Sequence, residues 1–99
     1  MSNFKFSSPI LRGFTHVQSS VGTTVSTILA VATTPERRVS VIVQNQHATA
    51  VIEVILANTG SDGLLIQPNQ SISLDNYNGI IRCVSDTAAT PVHIAYATA

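Results

Sequence analysis

The sequence has very little charge. Only 10% of its 99 residues are Asp, Glu, Lys or Arg, against roughly 25% in an average soluble domain. Five basic residues balance five acidic ones, so the formal net charge is zero with histidine neutral. Proteins that bind nucleic acid need a basic surface, and this balance speaks against such a partner. Small domains usually keep their net charge away from zero to avoid self-association, so a neutral chain favours burial against neighbouring subunits.

Other absences narrow the class of protein further. Cys83 is the only cysteine, so no disulfide can form within one chain. No apolar run approaches the ~18 residues of a membrane helix, and the first residues, MSNFKFSSPILRGF, lack the apolar core of a signal peptide. We therefore expect no membrane partner and synthesis in a cytoplasm with Cys83 reduced. A domain of this size buries only about 60–65% of its unfolded surface, so we expect partner subunits to add stability.

Alternation of apolar and polar residues with period two predicts strands along most of the chain. The clearest run, residues 38–44, places valines on one face. Residues 50–57 are apolar on both faces except for Glu53, as in a strand between two covered surfaces. Because a short polar loop joins the two runs, they predict an antiparallel hairpin. Further strands are predicted at 23–31, 63–66, 70–74, 80–85 and 92–96.

Helix is disfavoured because Thr and Val dominate and no apolar stripe has helical spacing. About six or seven short strands separated by turns predict an all-β fold, either an antiparallel β-sandwich or a small barrel. The pattern does not choose between these two architectures. The predicted core residues are Val39, Val41, Val43, Ile72, Leu74, Ile94 and Tyr96.

Residues 1–13 do not follow this pattern, and we interpret them as an extended N-terminal arm that precedes a single β domain, residues 14–99. The segment carries large apolar side chains without a hairpin partner, whereas frayed ends are usually poor in such residues. Burial of each Phe side chain would contribute about 1.5–3 kcal/mol. We therefore predict that the arm packs on a neighbouring subunit. Its predicted protein-interface residues are Phe4, Phe6, Ile10 and Leu11.

No residue pattern indicates a catalytic, metal or cofactor site. His16, His47 and His93 are far apart in the sequence and lack the paired spacing of zinc ligands, so we interpret them as polar surface residues. The flanks of Cys83 supply no base that would stabilise a thiolate, which predicts a small core residue. The acidic residues occur singly, so paired-carboxylate chemistry is not indicated. We expect a non-enzymatic protein with no cofactor.

Glycan binding is the main alternative function that the residues suggest. Sugar sites favour an exposed aromatic platform beside amide groups, and Tyr77 is the only aromatic residue in a polar loop. One ring makes a weak sugar site. We therefore favour a ring that folds back over the end of its own turn.

Residues 37–96 resemble a group of small β-sandwich proteins found in the virions of tailed phages. The resemblance covers about the last three-fifths of the chain. It rests on RRVSVIVQN at 37–45, GLLIQPNQSISL at 63–74, YNGII at 77–81 and the closing VHI at 92–94.

The resemblance implies a virion protein on the capsid surface, most directly a capsid decoration (cement) protein. Its implied partners are the major capsid protein and further copies of itself, with a trimer suited to the local three-fold positions of an icosahedral lattice. The resemblance implies no enzymatic residues. A phage tail or adaptor subunit and a host-glycan-binding module stay open as alternatives, with an uncharacterised enzyme as a distant one.

Overall fold

The structure, a computed structural model, describes residues 13–32 and 37–98. These residues form strands joined by turns and contain no helix, so none that could span a membrane. The strands are β1 (Phe14–Val21), β2 (Ser26–Leu29), β3 (Arg38–Asn45), β4 (Ile52–Ile55), β5 (Leu64–Ile66), β6 (Ser71–Asp75), β7 (Ile81–Ser85) and β8 (Thr90–Thr98).

The strands form two four-stranded antiparallel sheets that pack face to face. Sheet A has the order β1-β8-β3-β6, and sheet B has the order β2-β7-β4-β5. The predicted all-β class is therefore confirmed, and the architecture is a β-sandwich with eight strands in the part of the chain described.

The core lies between the inner faces of the two sheets. Val41, Val43 and Ile94 of sheet A are fully buried, and they meet buried residues of sheet B such as Ile52 and Val54. The predicted strand phase is confirmed, because the remaining predicted residues of β6 and β8 pack against this core while being partly exposed. Those residues are Ile72, Leu74 and Tyr96. Val39, at the start of β3, is also only partly buried.

The predicted hairpin of β3 and β4 is wrong. β3 pairs with β6 and β8 in sheet A, whereas β4 pairs with β5 and β7 in sheet B. Residues 46–51 thus carry the chain across the sandwich. Both strands have an apolar inner face, and placing them in opposite sheets lets these faces pack against each other. A short polar loop is compatible with either arrangement, which is why the sequence pattern led to the wrong prediction of a hairpin.

Asn45 holds this crossing together. Its side chain is fully buried, and its Nδ2 donates to the carbonyl oxygens of Ala50 (2.8 Å), Ile66 (3.1 Å) and Gln67 (3.3 Å). Its Oδ1 accepts the N–H of His47 at 3.0 Å. A loop that leaves one sheet for the other exposes backbone groups without ladder partners, and a buried group of this kind is costly unless it is hydrogen-bonded. The amide of Asn45 satisfies several of them at once.

Arg38 plays a similar part at the other end of β3. It is only 3% exposed, and its guanidinium donates to the carbonyl oxygens of Ala30 (3.1 Å), Tyr77 (3.3 Å) and Gly79 (2.6 Å). Burial lowers the pKa of this guanidinium, and the neighbouring Tyr96 and Tyr77 act in the opposite direction. Arginine starts from so high a value that it stays charged. Arg38 thereby ties β3 to the end of β2 and to the turn before β7.

Two strands near the N-terminus differ from the sequence-based prediction. β1 was not predicted, because its sequence FTHVQSSV is polar at most positions and its burial is confined to one side of an edge strand. The strand expected at 23–31 is shorter and covers only Ser26–Leu29, with an irregular register between Thr27 and Leu29.

We expect the buried and exposed faces of sheet A to respond differently to truncation. Val41→Ala and Ile94→Ala should each lower the free energy of unfolding by about 2–4 kcal/mol, because each leaves a cavity in the core. Ser73→Ala, on the outer face, serves as the matched control and should change it by less than about 0.5 kcal/mol. Urea denaturation followed by circular dichroism measures these differences, and equal losses on both faces would contradict the strand phase.

Asn45→Asp tests the sheet crossing with almost no change of shape. A carboxylate cannot donate to three carbonyl oxygens, so the variant should lose about 3–5 kcal/mol of stability at pH 7. Burial raises the pKa of such a carboxyl above its unfolded value of about 3.9, so the deficit should shrink as the pH falls and the acid becomes neutral. The exposed Asn58→Asp is the control. A loss as small as that of the control would contradict the role of Asn45.

Candidate interaction surfaces

The ionisable side chains in the described part of the chain act locally and do not form a reactive cluster. Glu53 Oε2 accepts the N–H of Gly63 at 2.8 Å, and Asp86 Oδ1 accepts the N–H of Val51 at 3.2 Å. Asp62 is exposed in its turn. Residues 13–32 and 37–98 contain no group of three or more His, Cys, Asp or Glu placed to hold a metal.

Cys83 is a core residue, as predicted. It lies in the middle of β7 with no exposed surface and packs within the main apolar cluster. Burial raises the pKa of its thiol from 9.0 to about 12. Since the thiolate is the reactive form, Cys83 is chemically inert while the domain is folded.

His16 and His93 are surface residues, as predicted, but they are not separate. β1 and β8 are neighbours, and His16 Nδ1 lies 2.8 Å from His93 Nε2. His93 Nδ1 lies 3.0 Å from the Oε1 of Gln18, whose Nε2 donates to Gln46 at 2.8 Å. An oxygen acceptor at Nδ1 assigns the proton of a neutral His93 to that atom, so His93 Nε2 accepts from His16. The result is a chain of side-chain hydrogen bonds that links β1, β8 and Gln46, the residue after β3.

His47 has a different role. Its Nδ1 accepts the backbone N–H groups of Thr49 (3.0 Å) and Ala50 (2.9 Å). The ring therefore orders the loop that crosses between the sheets. In the described part of the chain, no hydrogen bond joins His47 to His16 or His93.

The outer face of sheet A is broad and almost without charge. Its side chains alternate with those of the core, and Asp75 carries the one charge among them. Burying neutral amides and hydroxyls costs far less than burying charges, and interface cores are poor in charged residues. The face consists of Phe14, His16, Gln18, Ser20, Ser40, Ile42, Gln44, Ser71, Ser73, Asp75, Pro91, His93, Ala95 and Ala97.

A second candidate surface lies on β5, at the edge of sheet B. Leu64 is 49% exposed and Leu65 is 63% exposed. Leu65 also borders a shallow depression of about 260 Å³, lined in part by Val51 and Val84. Gly63 positions this strand, since a Cβ there would clash with the carbonyl of Val54. The depression is also lined by Glu53 and Asp86, so the exposed leucines lie beside a surface of mixed character that suits contact with another protein.

Tyr77 does not form an exposed aromatic platform. Its ring packs against the core cluster, and its hydroxyl donates to the carbonyl oxygen of Ile80 at 2.6 Å. The prediction that this ring folds back over its turn is confirmed. The feature that first suggested glycan binding is thus occupied in holding the turn.

The predicted arm residues Phe4, Phe6, Ile10 and Leu11 lie outside the described residues, and their interface role stays a prediction. The sequence did not single out Asn45, Arg38 or the leucine pair. Only the leucines carried a usable signal, because a short strand after a glycine turn places two large apolar residues at a sheet edge.

Comparison with known proteins supports the architecture. No family model and no curated protein matches the chain. Among solved structures, the chain is similar to one from Bacillus endospore appendages, described as a family of disulfide-linked pili. The TM-score is 0.51 at 12% identity, over 99% of this chain and 100% of that chain. At this identity the likeness concerns the fold alone.

The burial of Cys83 predicts its reactivity. We expect the native thiol to resist Ellman's reagent at pH 8 and to react fully once denaturant is added, because only unfolding exposes it. Ser61→Cys, which adds a thiol in an exposed turn, is the control and should react at once. Complete labelling of the native wild-type chain as fast as this control would contradict the structure.

The same burial fixes the sign of one pH dependence. The folded state disfavours the thiolate, whereas the unfolded chain can ionise above about pH 9. The contribution of Cys83 to the free energy of unfolding is therefore fully present below about pH 9 and declines toward pH 12. Cys83→Ala should remove this decline.

Proposed function

We propose that this protein is a non-enzymatic structural subunit that packs against other subunits in a repeating assembly. More specifically, we propose that it decorates or cements the capsid of a tailed phage, with the major capsid protein and its own copies as partners. The observation that carries the first statement is the nearly uncharged outer face of sheet A. A rigid sandwich with such a face offers a broad contact surface in place of a pocket.

The size and charge of the chain support an assembly. A standard protein interface buries about 1,600 Å² in total, and the exposed surface of this chain is 5665 Å². About half of the interface area comes from each partner, which is a small share of the surface that this chain exposes. Placing this surface against a partner would also provide the burial that a domain of 99 residues has little of by itself.

The phage capsid as the site of assembly is supported by the resemblance of residues 37–96 to small sandwich proteins of tailed-phage virions. Within the resembling motifs, Asn45 makes a buried hydrogen bond that holds the crossing, and Tyr77 makes a partly buried one that holds the turn. The capsid partner follows from the resemblance, and binding to capsids is the property to measure.

A pilus-like subunit is the second candidate, because the similar structure belongs to appendages described as pili. Those pili are described as disulfide-linked. Here the only cysteine of the sequence, Cys83, is buried in the core, so a covalent link through it would require unfolding. A non-covalent assembly fits this chain better.

Deleting residues 1–12 tests the arm and the assembly together. β1 begins at Phe14, so the shortened domain should still unfold cooperatively. We expect it to lose at least tenfold in affinity for intact capsids and for its own copies, because two buried Phe side chains contribute several kcal/mol and each 1.4 kcal/mol is a factor of ten. Co-sedimentation with capsids and light scattering, in which the full chain should be a trimer, are the measurements.

A finer pair of variants separates the rings from the backbone. Phe4→Ala with Phe6→Ala should reproduce much of the loss, whereas Ser7→Ala with Ser8→Ala should not. If the full chain is a stable monomer that does not bind capsids, the proposed function is wrong. If the full chain binds and the arm variants bind as tightly as it does, the arm is not the anchor. The outer face of sheet A then becomes the contact to mutate.

A further inference from the structure

The four sheet edges of the described domain differ in how open they are to another strand. Natural proteins protect edges with short strands, bulges, prolines or charges. β5 has only three residues, and β2 has four with an irregular register. β1 has eight residues, a regular register with β8, and no proline or charged residue. β1 therefore carries none of these protections.

The hydrogen-bond pattern identifies which groups of β1 are free for a further strand. Gln46 donates to the carbonyl oxygen of Pro91, so the backbone groups of Pro91 face β3. Because these directions alternate along an antiparallel strand, Val92 and Ile94 face β1 and bond to Ser19 and Val17. The remaining residues of β1 direct their N–H and C=O groups away from the sheet. These residues are Phe14, His16, Gln18 and Ser20.

The opposite edge of sheet A is β6, and the same reasoning applies to it. Asn45 donates to the carbonyl oxygen of Gln70, and Asn76 donates to that of Val39. Between Gln70 and Asn76, every second residue of β6 directs its backbone groups toward β3. The residues in between direct theirs outward. The outward residues are Ser71, Ser73 and Asp75. No other described strand pairs with either edge of sheet A.

We propose that β1 of one copy pairs antiparallel with β6 of a second copy, so that sheet A continues from subunit to subunit. Sheet A has an even number of antiparallel strands, so β1 and β6 run in opposite directions. A second copy in the same orientation therefore presents β6 antiparallel to β1. The outward residues of both strands carry side chains on the outer face, so the uncharged face would also continue.

This head-to-tail contact uses both open edges of sheet A. Pairing β1 with β1 of a second copy would close a dimer and leave both β6 edges unused. A head-to-tail contact instead forms a closed ring, such as a trimer, or an open filament. The inference rests on the proposed self-association of the chain and not on the capsid, so it can fail while capsid binding persists.

Proline variants test the two edges separately. Gln18→Pro and Ser73→Pro each remove one outward N–H without removing a backbone hydrogen bond inside sheet A, and edge positions of this kind tolerate proline. We expect each variant to raise the dissociation constant for self-association at least tenfold in sedimentation velocity runs. Gln18→Ala and Ser73→Ala lose the same side chains but keep the N–H, so each should associate more tightly than its proline counterpart.

Mixing the two proline variants gives the sharpest result. Gln18→Pro retains an intact β6 edge, and Ser73→Pro retains an intact β1 edge. An equimolar mixture should therefore form a dimer of one copy of each and nothing larger. Unchanged association of Ser73→Pro alone would show a β1-to-β1 contact instead, and a mixture that stays monomeric would overturn the proposal.

Hydrogen exchange keeps the proposal testable should a proline variant fail to fold. In the wild-type chain, the outward amides of His16, Gln18 and Ser73 should be protected at high protein concentration and exchange faster on dilution. Val17 and Ile72, whose amides bond within sheet A, are the controls and should stay protected. Protection of the outward amides that does not depend on concentration would mean that each chain covers its own edge, and the proposal would be wrong.

Discussion

The sandwich depends on two buried polar side chains at the ends of β3. Arg38 donates to three carbonyl oxygens where the chain enters the strand, and Asn45 donates to three where it leaves. At both points the backbone passes between the sheets, so its carbonyl groups have no ladder partner. A buried group left unpaired costs about 1–3 kcal/mol. The apolar core can form around β3 only because these two residues satisfy the groups at its ends.

Neutral hydrogen bonding also organises the surface. The His16–His93–Gln18 chain and the serines of β6 give the outer face of sheet A fixed donors and acceptors with almost no charge. Such a face can be covered at a low desolvation cost, and its polar groups give a partner specific positions to match. The same neutrality suits the domain to contact with other proteins.

Most of the fold could be predicted from the sequence, because alternation reports which residues face the core. The valines of β3 and the apolar residues of β6 and β8 were placed on the correct face. Alternation does not report which strand is the neighbour, so β3 and β4 were wrongly joined. β1 was not predicted because it is an edge strand with one face outside the core, so its sequence is mostly polar and lacks a clear alternation. The contact of His16 with His93 arises from strands at opposite ends of the sequence, which spacing rules do not address.

The pairing of the first strand with the last has a consequence for synthesis. β8 lies between β1 and β3, so a nascent chain that lacks residues 90–98 has no strand to fill the centre of sheet A. Neither β1 nor β3 can complete its ladder before β8 is available to pair. Contacts this distant in sequence also form slowly, on the scale of milliseconds to seconds in all-β domains. Sheet A, with both of its edges, can therefore form only in chains that already contain β8.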